Sequence, residues 1–383
     1  MKKIEFGELR ITDLAKQHIQ ECLEKNWVSI GEKTKEFENR WRQLFGYNHT
    51  VMVSSGTTAD TAACMALYDY GAKPGDYIIC PALSYIATAN AIRAAGFTPL
   101  FVDIKKETLN INTDSIENLI KTHNALRKNI VAIMCVNLMG KPCDLDILSE
   151  ISKKHDIKLI VDNCEAYGSK FKGKYSLEYT DMETTSHYIA HIICCGEGGT
   201  VSCKDEELFN ILKSIRSHGR QPDSLYFDHI RFGLNFKPTD LHASIGLGEI
   251  DEFWTIFNKR KANVYEFRKA VRGYEGKAYF IEEDEGCRNA PHAFSITLKE
   301  RYATKRNMDI VKETLEENNI HWKRNFGSMP HHKAFDYLGY KASSMENAQY
   351  VGEYGIHIGC HYWLTEEDID NVCSALRKAL GKI

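Results

Sequence analysis

A chain of 383 residues is long enough to bury a sizeable core and to divide into two domains. Its 43% hydrophobic and 26% charged residues are the balance of a water-soluble globular protein, and a formal net charge of −3 excludes the strongly basic surface of a nucleic-acid or anionic-membrane binder. Apolar runs such as IVAIMCV are too short to span a bilayer, and the opening MKKIEFGELR lacks the apolar stretch of a secretory signal.

In chain order, HTVMVSS (49–55), DYIICPA (76–82), TPLFVDI (98–104), NIVAIMCVNL (129–138), IKLIVDN (157–163) and GGTVSC (198–203) read as buried strands rich in valine and isoleucine. Helical patterns alternate with them over 57–71, 86–96, 145–156 and 205–219. This alternation predicts an α/β fold with a mostly parallel central sheet covered by helices, and places ligand chemistry at the carboxyl ends of the strands. A long helical stretch follows over 239–271. The remainder, with a strand at PHAFSITL (291–298) and helices over 308–319 and 365–380, predicts a smaller α+β domain. The division expected is 1–250 for the first domain and 251–383 for the second.

Twelve cysteines include no CxxC pair, and their spacing matches neither a zinc site nor an iron–sulfur cradle. Most lie in apolar segments, where a reduced cysteine behaves as a small hydrophobe. No metal is expected, and the cytoplasm is the expected compartment.

Four segments carry candidate chemistry. At Ser54-Ser55-Gly56-Thr57-Thr58-Ala59-Asp60 a strand gives way to a helix through small residues. Free N–H groups there, with the Thr57 and Thr58 hydroxyls, would make a cup for a phosphate, although such turns also serve plain packing. Asp162 stands at the end of an apolar strand, where a carboxylate needs a cation or strong donors to stay charged; a turn or capping role is the commoner one. Ser186 and His191 lie five residues apart ahead of Gly196-Glu197-Gly198-Gly199, a turn that would equally suit a hairpin. Asn235 and Lys237 precede a helix start at Pro238-Thr239-Asp240, where ordinary N-capping is the alternative.

The order and spacing of these segments resemble the DegT/DnrJ/EryC1/StrS family of sugar-nucleotide aminotransferases. The resemblance runs from Trp27-Val28-Ser29-Ile30-Gly31 to the helix after Leu364. It implies a type I aminotransferase fold and a pyridoxal 5'-phosphate or pyridoxamine 5'-phosphate cofactor. Gly56, Thr57 and Ser186 would hold the phosphate, Asp162 would pair with the pyridine nitrogen, and Tyr85 in PALSYIATA would stack on the ring. Asn235 would reach the cofactor phosphate of a neighbouring subunit, which requires a homodimer with shared active sites.

The departure from the family pattern is as informative as the match. Family aminotransferases carry a lysine five residues after the serine, the covalent tether of the cofactor. Here that position is His191, and no lysine occurs from Asp181 to Cys203. The cofactor would therefore be held non-covalently, and the imidazole would move protons near neutral pH. With Glu165 where glutamine is usual, and with Arg216-Ser217-His218-Gly219, the chain is similar to the sugar 3-dehydratase branch of the family, typified by an enzyme acting on GDP-4-keto-6-deoxymannose. That implies a nucleotide-linked 4-keto-6-deoxy sugar as substrate and L-glutamate as co-substrate, with His191 catalytic and Glu165 beside the cofactor. His218 is a second catalytic candidate or an ordinary helix-end histidine. Lys323 and Arg324 are candidates for a glutamate carboxylate or nucleotide phosphate, or a solvated surface pair. Three other readings stay open: an aminotransferase that works with histidine, a cofactor-binding protein without catalysis, and a dehydratase of a 4-keto heptose or another nucleotide carrier.

Overall fold

The apolar runs pair into one sheet in this computed structural model, which describes residues 3–7, 9, 11–125, 129–221 and 227–383. The strands are β1 (His49–Val53), β2 (Tyr77–Pro81), β3 (Leu83–Ser84), β4 (Thr98–Val102), β5 (Ile130–Val136), β6 (Lys158–Asp162), β7 (Met182–Ser186) and β8 (Gly199–Cys203). Seven of them form a sheet in the order β1-β8-β7-β6-β5-β2-β4. β7, β6, β5, β2 and β4 run parallel, whereas β8 is antiparallel to both of its neighbours. The fold is the mostly parallel α/β architecture that the alternation predicts.

Both faces of the sheet are covered, so side chains pointing either way along a strand are apolar. On β2, Ile78 and Cys80 enter one core, shared with Ala59, Ala62 and Ile92 of the helices Gly56–Met65 and Ala87–Ala94, and with Ile211 and Ile215 of Glu206–Arg216. Ile79, between them, enters the opposite core with Ile116 and Ile120 of Ile116–Ala125 and Leu145 and Leu148 of Leu145–His155. β7 is the exception. Its sequence is Met-Glu-Thr-Thr-Ser, every residue is buried, and the sequence pattern does not announce it as a strand.

The predicted long helix is two helices, Asp240–Leu247 and Phe253–Ala270, separated by a tighter turn. The break comes at Glu249, whose φ of −120° leaves the helical region while Gly248 is still helical. A Cβ on Gly248 would lie 2.4 Å from Thr12 Oγ1, and one on Gly246 2.5 Å from Cys195 Sγ, so neighbouring elements press against the backbone here. The second helix then spans two cores: Phe253 and Phe257 pack with Phe37, Trp41 and Tyr167, while Phe267 and Ala270 pack with Phe294, Ile296 and Leu376.

The C-terminal region adds β9 (Ala278–Tyr279), β10 (Ala293–Leu298), β11 (Trp322–Arg324), β12 (Gly327–Ser328) and β13 (Gly355–Gly359). A four-stranded antiparallel sheet, β11-β13-β10-β9, is backed by the helices Lys305–Glu317 and Glu366–Gly381. β12 pairs with β3, joining this region to the segment that leads into Tyr85. Among the described residues no helix is long and apolar enough to cross a membrane.

Candidate active site

The carboxyl ends of β1, β6 and β7 meet at one place. Ser55 caps the helix Gly56–Met65: the Thr58 N–H donates to Ser55 Oγ (3.1 Å) and the Ser55 N–H donates to Thr58 Oγ1 (2.9 Å). The Thr58 hydroxyl is thus taken up by the cap and is not part of the expected cup. What remains is the start of the helix at Gly56 and exposed Thr57, whose N–H groups have no intrahelical acceptor. Gly56 is needed because a Cβ there would sit 2.6 Å from Ser186 Cβ. Gly199 serves the same approach, since its Cβ would lie 2.4 Å from the Ser55 carbonyl oxygen. Together they bring Ser186 against the helix start, and its Oγ accepts from the Tyr188 N–H (3.3 Å). Backbone N–H groups, a helix dipole and a hydroxyl converge on one spot, an arrangement that binds a phosphate.

Asp162 ends β6 and is 5% exposed. Its carboxylate accepts from Thr88 Oγ1 (2.8 Å) and from the Cys164 N–H (3.1 Å). Among the described residues it has no ion-pair partner, so an anion buried here calls for a cation. Tyr85, 62% exposed, stands on the loop after β3 with its ring 6.2 Å from that of Phe326. A large aromatic face left open in this position suits stacking on a planar ligand.

His191 lies in the loop between β7 and β8, and its ring is beside that of His292 at 5.3 Å between centroids. Burial, and then the Arg260 charge, push the imidazole down to about 3, so it is neutral at pH 7. Its Nδ1 is buried with no hydrogen-bond partner among the described residues. Arg260 clamps the pair from behind: its guanidinium donates to the carbonyls of His191 (3.3 Å), Pro291 (2.9 Å) and His292 (2.8 Å).

Glu165 completes this group. One carboxyl oxygen accepts from the Met139 N–H (2.7 Å) and the other lies 3.4 Å from His292 Nε2. Burial pushes Glu165 up to about 8, against the opposing effect of the Met139 bond, so the acid is largely protonated at neutral pH. His292, buried and next to His191, is held well below the usual histidine range. The contact depends on Gly140, which adopts a φ of +84° and lies so close to the Ala290 carbonyl that a Cβ would be 1.8 Å from its oxygen. That approach delivers residues 290–292 to Glu165.

Of the other predicted residues, Lys323 comes near. It is paired across the ladder with His357, its ammonium lies 4.3 Å from the Phe6 ring centroid, and its charge acts on Glu165, His191 and His292. Burial lowers its own pKa. Arg324 is exposed on β11. His218 is exposed just after the helix Glu206–Arg216, with a φ of +61° and its N–H donating to the Leu234 carbonyl (2.9 Å). Asn235 is exposed nearby and accepts from the Lys237 N–H (3.4 Å). Thr239 caps the next helix as the capping alternative proposed, accepting from the His242 N–H (3.3 Å). Sequence reasoning missed His292, Arg260 and Asp60. Only Arg260 left a signal, since Ile256, Phe257, Arg260, Asn263 and Phe267 fall on one buried helix face.

Comparison with known proteins extends this picture. The sequence profile described as the DegT/DnrJ/EryC1/StrS aminotransferase family matches residues 10–377. A GDP-4-keto-6-deoxy-D-mannose 3-dehydratase of Yersinia pseudotuberculosis is 30% identical over 94% of each chain. A GDP-perosamine synthase of Caulobacter vibrioides is also 30% identical, over 99% of each. Among solved structures, the E. coli GDP-4-keto-6-deoxy-D-mannose-3-dehydratase with bound hydrated PLP superposes with a TM-score of 0.86 at 27% identity, covering 98% of this chain and 100% of that one.

Proposed function

The chain belongs to the DegT/DnrJ/EryC1/StrS aminotransferase family, and from that premise we propose that it is a pyridoxamine phosphate-dependent 3-dehydratase of a nucleotide-linked 4-keto-6-deoxy sugar. The observation that carries this reading is His191: a neutral imidazole with an unpartnered Nδ1 stands where the family has its tethering lysine.

The residues fit a pyridoxal-type group. The Gly56 cradle, which a Cβ would fill, accepts a phosphate; Asp162 lacks a cation; and the Tyr85 face is open. When bound, the cofactor supplies a cationic ring that draws electrons and an amine that condenses with the sugar's C4 ketone. Asp162 keeps the ring nitrogen protonated. His191 accepts the proton that must leave the carbon bearing that amine and, once protonated, donates to the departing C3 hydroxyl. Glu165, as a neutral acid, supplies a hydrogen-bond donor rather than a second negative charge. Arg260 and His292 hold the His191 loop in place.

The overall reaction balances with glutamate as reductant. Glutamate loses two electrons and leaves as 2-oxoglutarate and ammonia, while the sugar exchanges its C3 C–O bond for C–H. Lys323, near Glu165 and His191, is suited to the carboxylate of glutamate; Arg324 and His218 we assign to substrate contacts made in a homodimer. We read Asn235 as a ligand of the partner's cofactor phosphate, a role supported by its exposed position. We propose that the cofactor-binding domain spans 1–250 and the smaller domain 251–383.

A second reading, an aminotransferase making an amino sugar, is favoured by the equal identity to the perosamine synthase. Incubation with glutamate and a panel of nucleotide-linked 4-keto-6-deoxy hexoses and heptoses, with products weighed by mass spectrometry, decides between them. We expect loss of the C3 oxygen with no nitrogen retained. A product that keeps C3 oxygen and gains an amine sinks the dehydratase reading.

A further inference from the structure

Behind Asp162 stands a second carboxyl group that the mechanism above does not use. Asp60, on the helix Gly56–Met65, is 1% exposed, and the ligand atoms of Asp60, Asp162 and Cys164 lie within 4.8 Å of one another. Thr184 Oγ1, from β7, donates to Asp60 Oδ1 (2.6 Å), while Asp162 receives the Thr88 hydroxyl and the Cys164 N–H. Among the described residues no cation pairs with either carboxyl. The other titratable groups facing Asp60 are the thiols of Cys64 and Cys164, both pushed well up by burial and therefore neutral.

Two carboxylates this close, shielded from water and without a cation, cannot both be ionised. Which of them keeps the proton follows from the donors around them. Asp162 accepts two hydrogen bonds and Asp60 one, so the charge is better placed on Asp162. Burial first, and then the charge of Asp162, hold Asp60 well above the usual aspartate range.

We propose that Asp60 is a standing neutral acid that donates its proton to Asp162, so that the dyad carries one negative charge and directs it at a planar cationic heterocycle. The dyad is a property of the chain itself; its action on the heterocycle rests on the cofactor reading above. A third donor on Asp162 makes that carboxylate a weaker base, so the proton shared with the ring stays on the ring nitrogen. Asp60 is thus a positioning residue that sets the protonation of the ligand through Asp162.

Carboxyl ¹³C NMR of the aspartate-labelled, cofactor-free chain tests the dyad directly. The resonance that disappears in Asp60→Asn should sit at the position of a protonated acid and stay there between about pH 6 and 8. A resonance at the ionised position, or one that titrates in that window, overturns the proposal. Binding of pyridoxamine phosphate, followed by absorbance across pH, tests the consequence. Asp60→Asn keeps a neutral donor and should bind within about threefold of the unaltered chain with the same pH profile. Asp60→Leu, which has no donor, should bind about tenfold or more weakly, with a smaller fraction of the ring protonated across the pH range. If Asp60→Asn, folded by circular dichroism, behaves like Asp60→Leu, a neutral donor is not what matters and the inference fails. No binding to the unaltered chain would instead overturn the proposed function, while the NMR result decides the dyad independently.

Discussion

Asp162 and Asp181 stand at opposite ends of the same sheet, one closing β6 and the other just ahead of β7, and their surroundings are opposite in kind. Asp181 is about one-third exposed; it accepts from the Leu159 N–H (2.8 Å) and lies 3.4 Å from Lys158 Nζ, which also sits 4.4 Å above the Tyr70 ring. Its charge is matched within the chain and bathed in water. Asp162 is buried, has hydrogen bonds but no counter-charge among the described residues, and faces a second carboxyl. A charge satisfied at one end of a sheet and unmatched at the other marks the second end as the candidate ligand site.

The comparison breaks most sharply at His191. Replacing His191 with Ala removes the proposed base while leaving the phosphate cradle and Asp162 intact. Turnover of the 4-keto sugar should fall by about 10²- to 10⁴-fold, with pyridoxamine phosphate still bound, as measured by product mass and cofactor absorbance. Loss of binding in step with turnover would reassign His191 to holding the cofactor. His191→Lys should restore a covalent tether and abolish most deoxygenation.

The buried acids and histidines of this end pull stability in opposite directions with pH. Glu165 has a raised native pKa of about 8 and an unfolded value near 4.3, so its contribution is complete below about pH 4.3 and is lost as pH rises through 8. In Glu165→Gln that loss disappears, and urea denaturation should show the unaltered chain losing up to about 1.4 kcal/mol per pH unit relative to the variant between pH 6 and 8. His187 has the reverse sign. Burial pushes it down to about 3 among Phe37, Trp41 and Tyr167, so its contribution is present above about pH 6.5 and is lost as pH falls. His187→Gln should remove only that group's share of the acid-side loss, while His191, His292 and His357 remain as neutral buried histidines and keep the rest.

The same contrast explains what the sequence made legible. β2, β5 and β6 are continuous apolar runs, because both faces are covered, and they were readable at once. β7 was not, because its Glu183 accepts from Tyr47, 136 residues away (2.8 Å), and its Thr184 donates to Asp60, 124 residues away. A buried polar strand looks like a loop until its partners are known. Gly56, Asp162, Ser186 and His191 were ambiguous segment by segment and became candidates through the order and spacing that carry the family resemblance. His292 was not, since it opens an apolar strand and meets Glu165 only because the Gly140 turn accepts the chain at Ala290. The break at Glu249 escaped for a related reason: the helical pattern is continuous in sequence, and nothing local marks the residue at which the backbone leaves the helix.

The smallest effect is expected at the solvent-exposed end, and its smallness is the point. Lys158→Ala deletes the ion pair with Asp181 and the contact with Tyr70. Both side chains are about one-third exposed, so solvent already screens the attraction, and holding a long lysine in place costs entropy. Stability should drop by about 0–1 kcal/mol, and most of that difference should vanish when the comparison is repeated in about 0.5 M salt, where the screening length is only a few ångströms. Turnover should be unchanged, because Lys158 opens β6 whereas the proposed chemistry gathers at its far end. A loss larger than about 2 kcal/mol that persists in salt would mean that Asp181 depends on Lys158 as a buried charge does, and the distinction between the two ends of the sheet would fall with it.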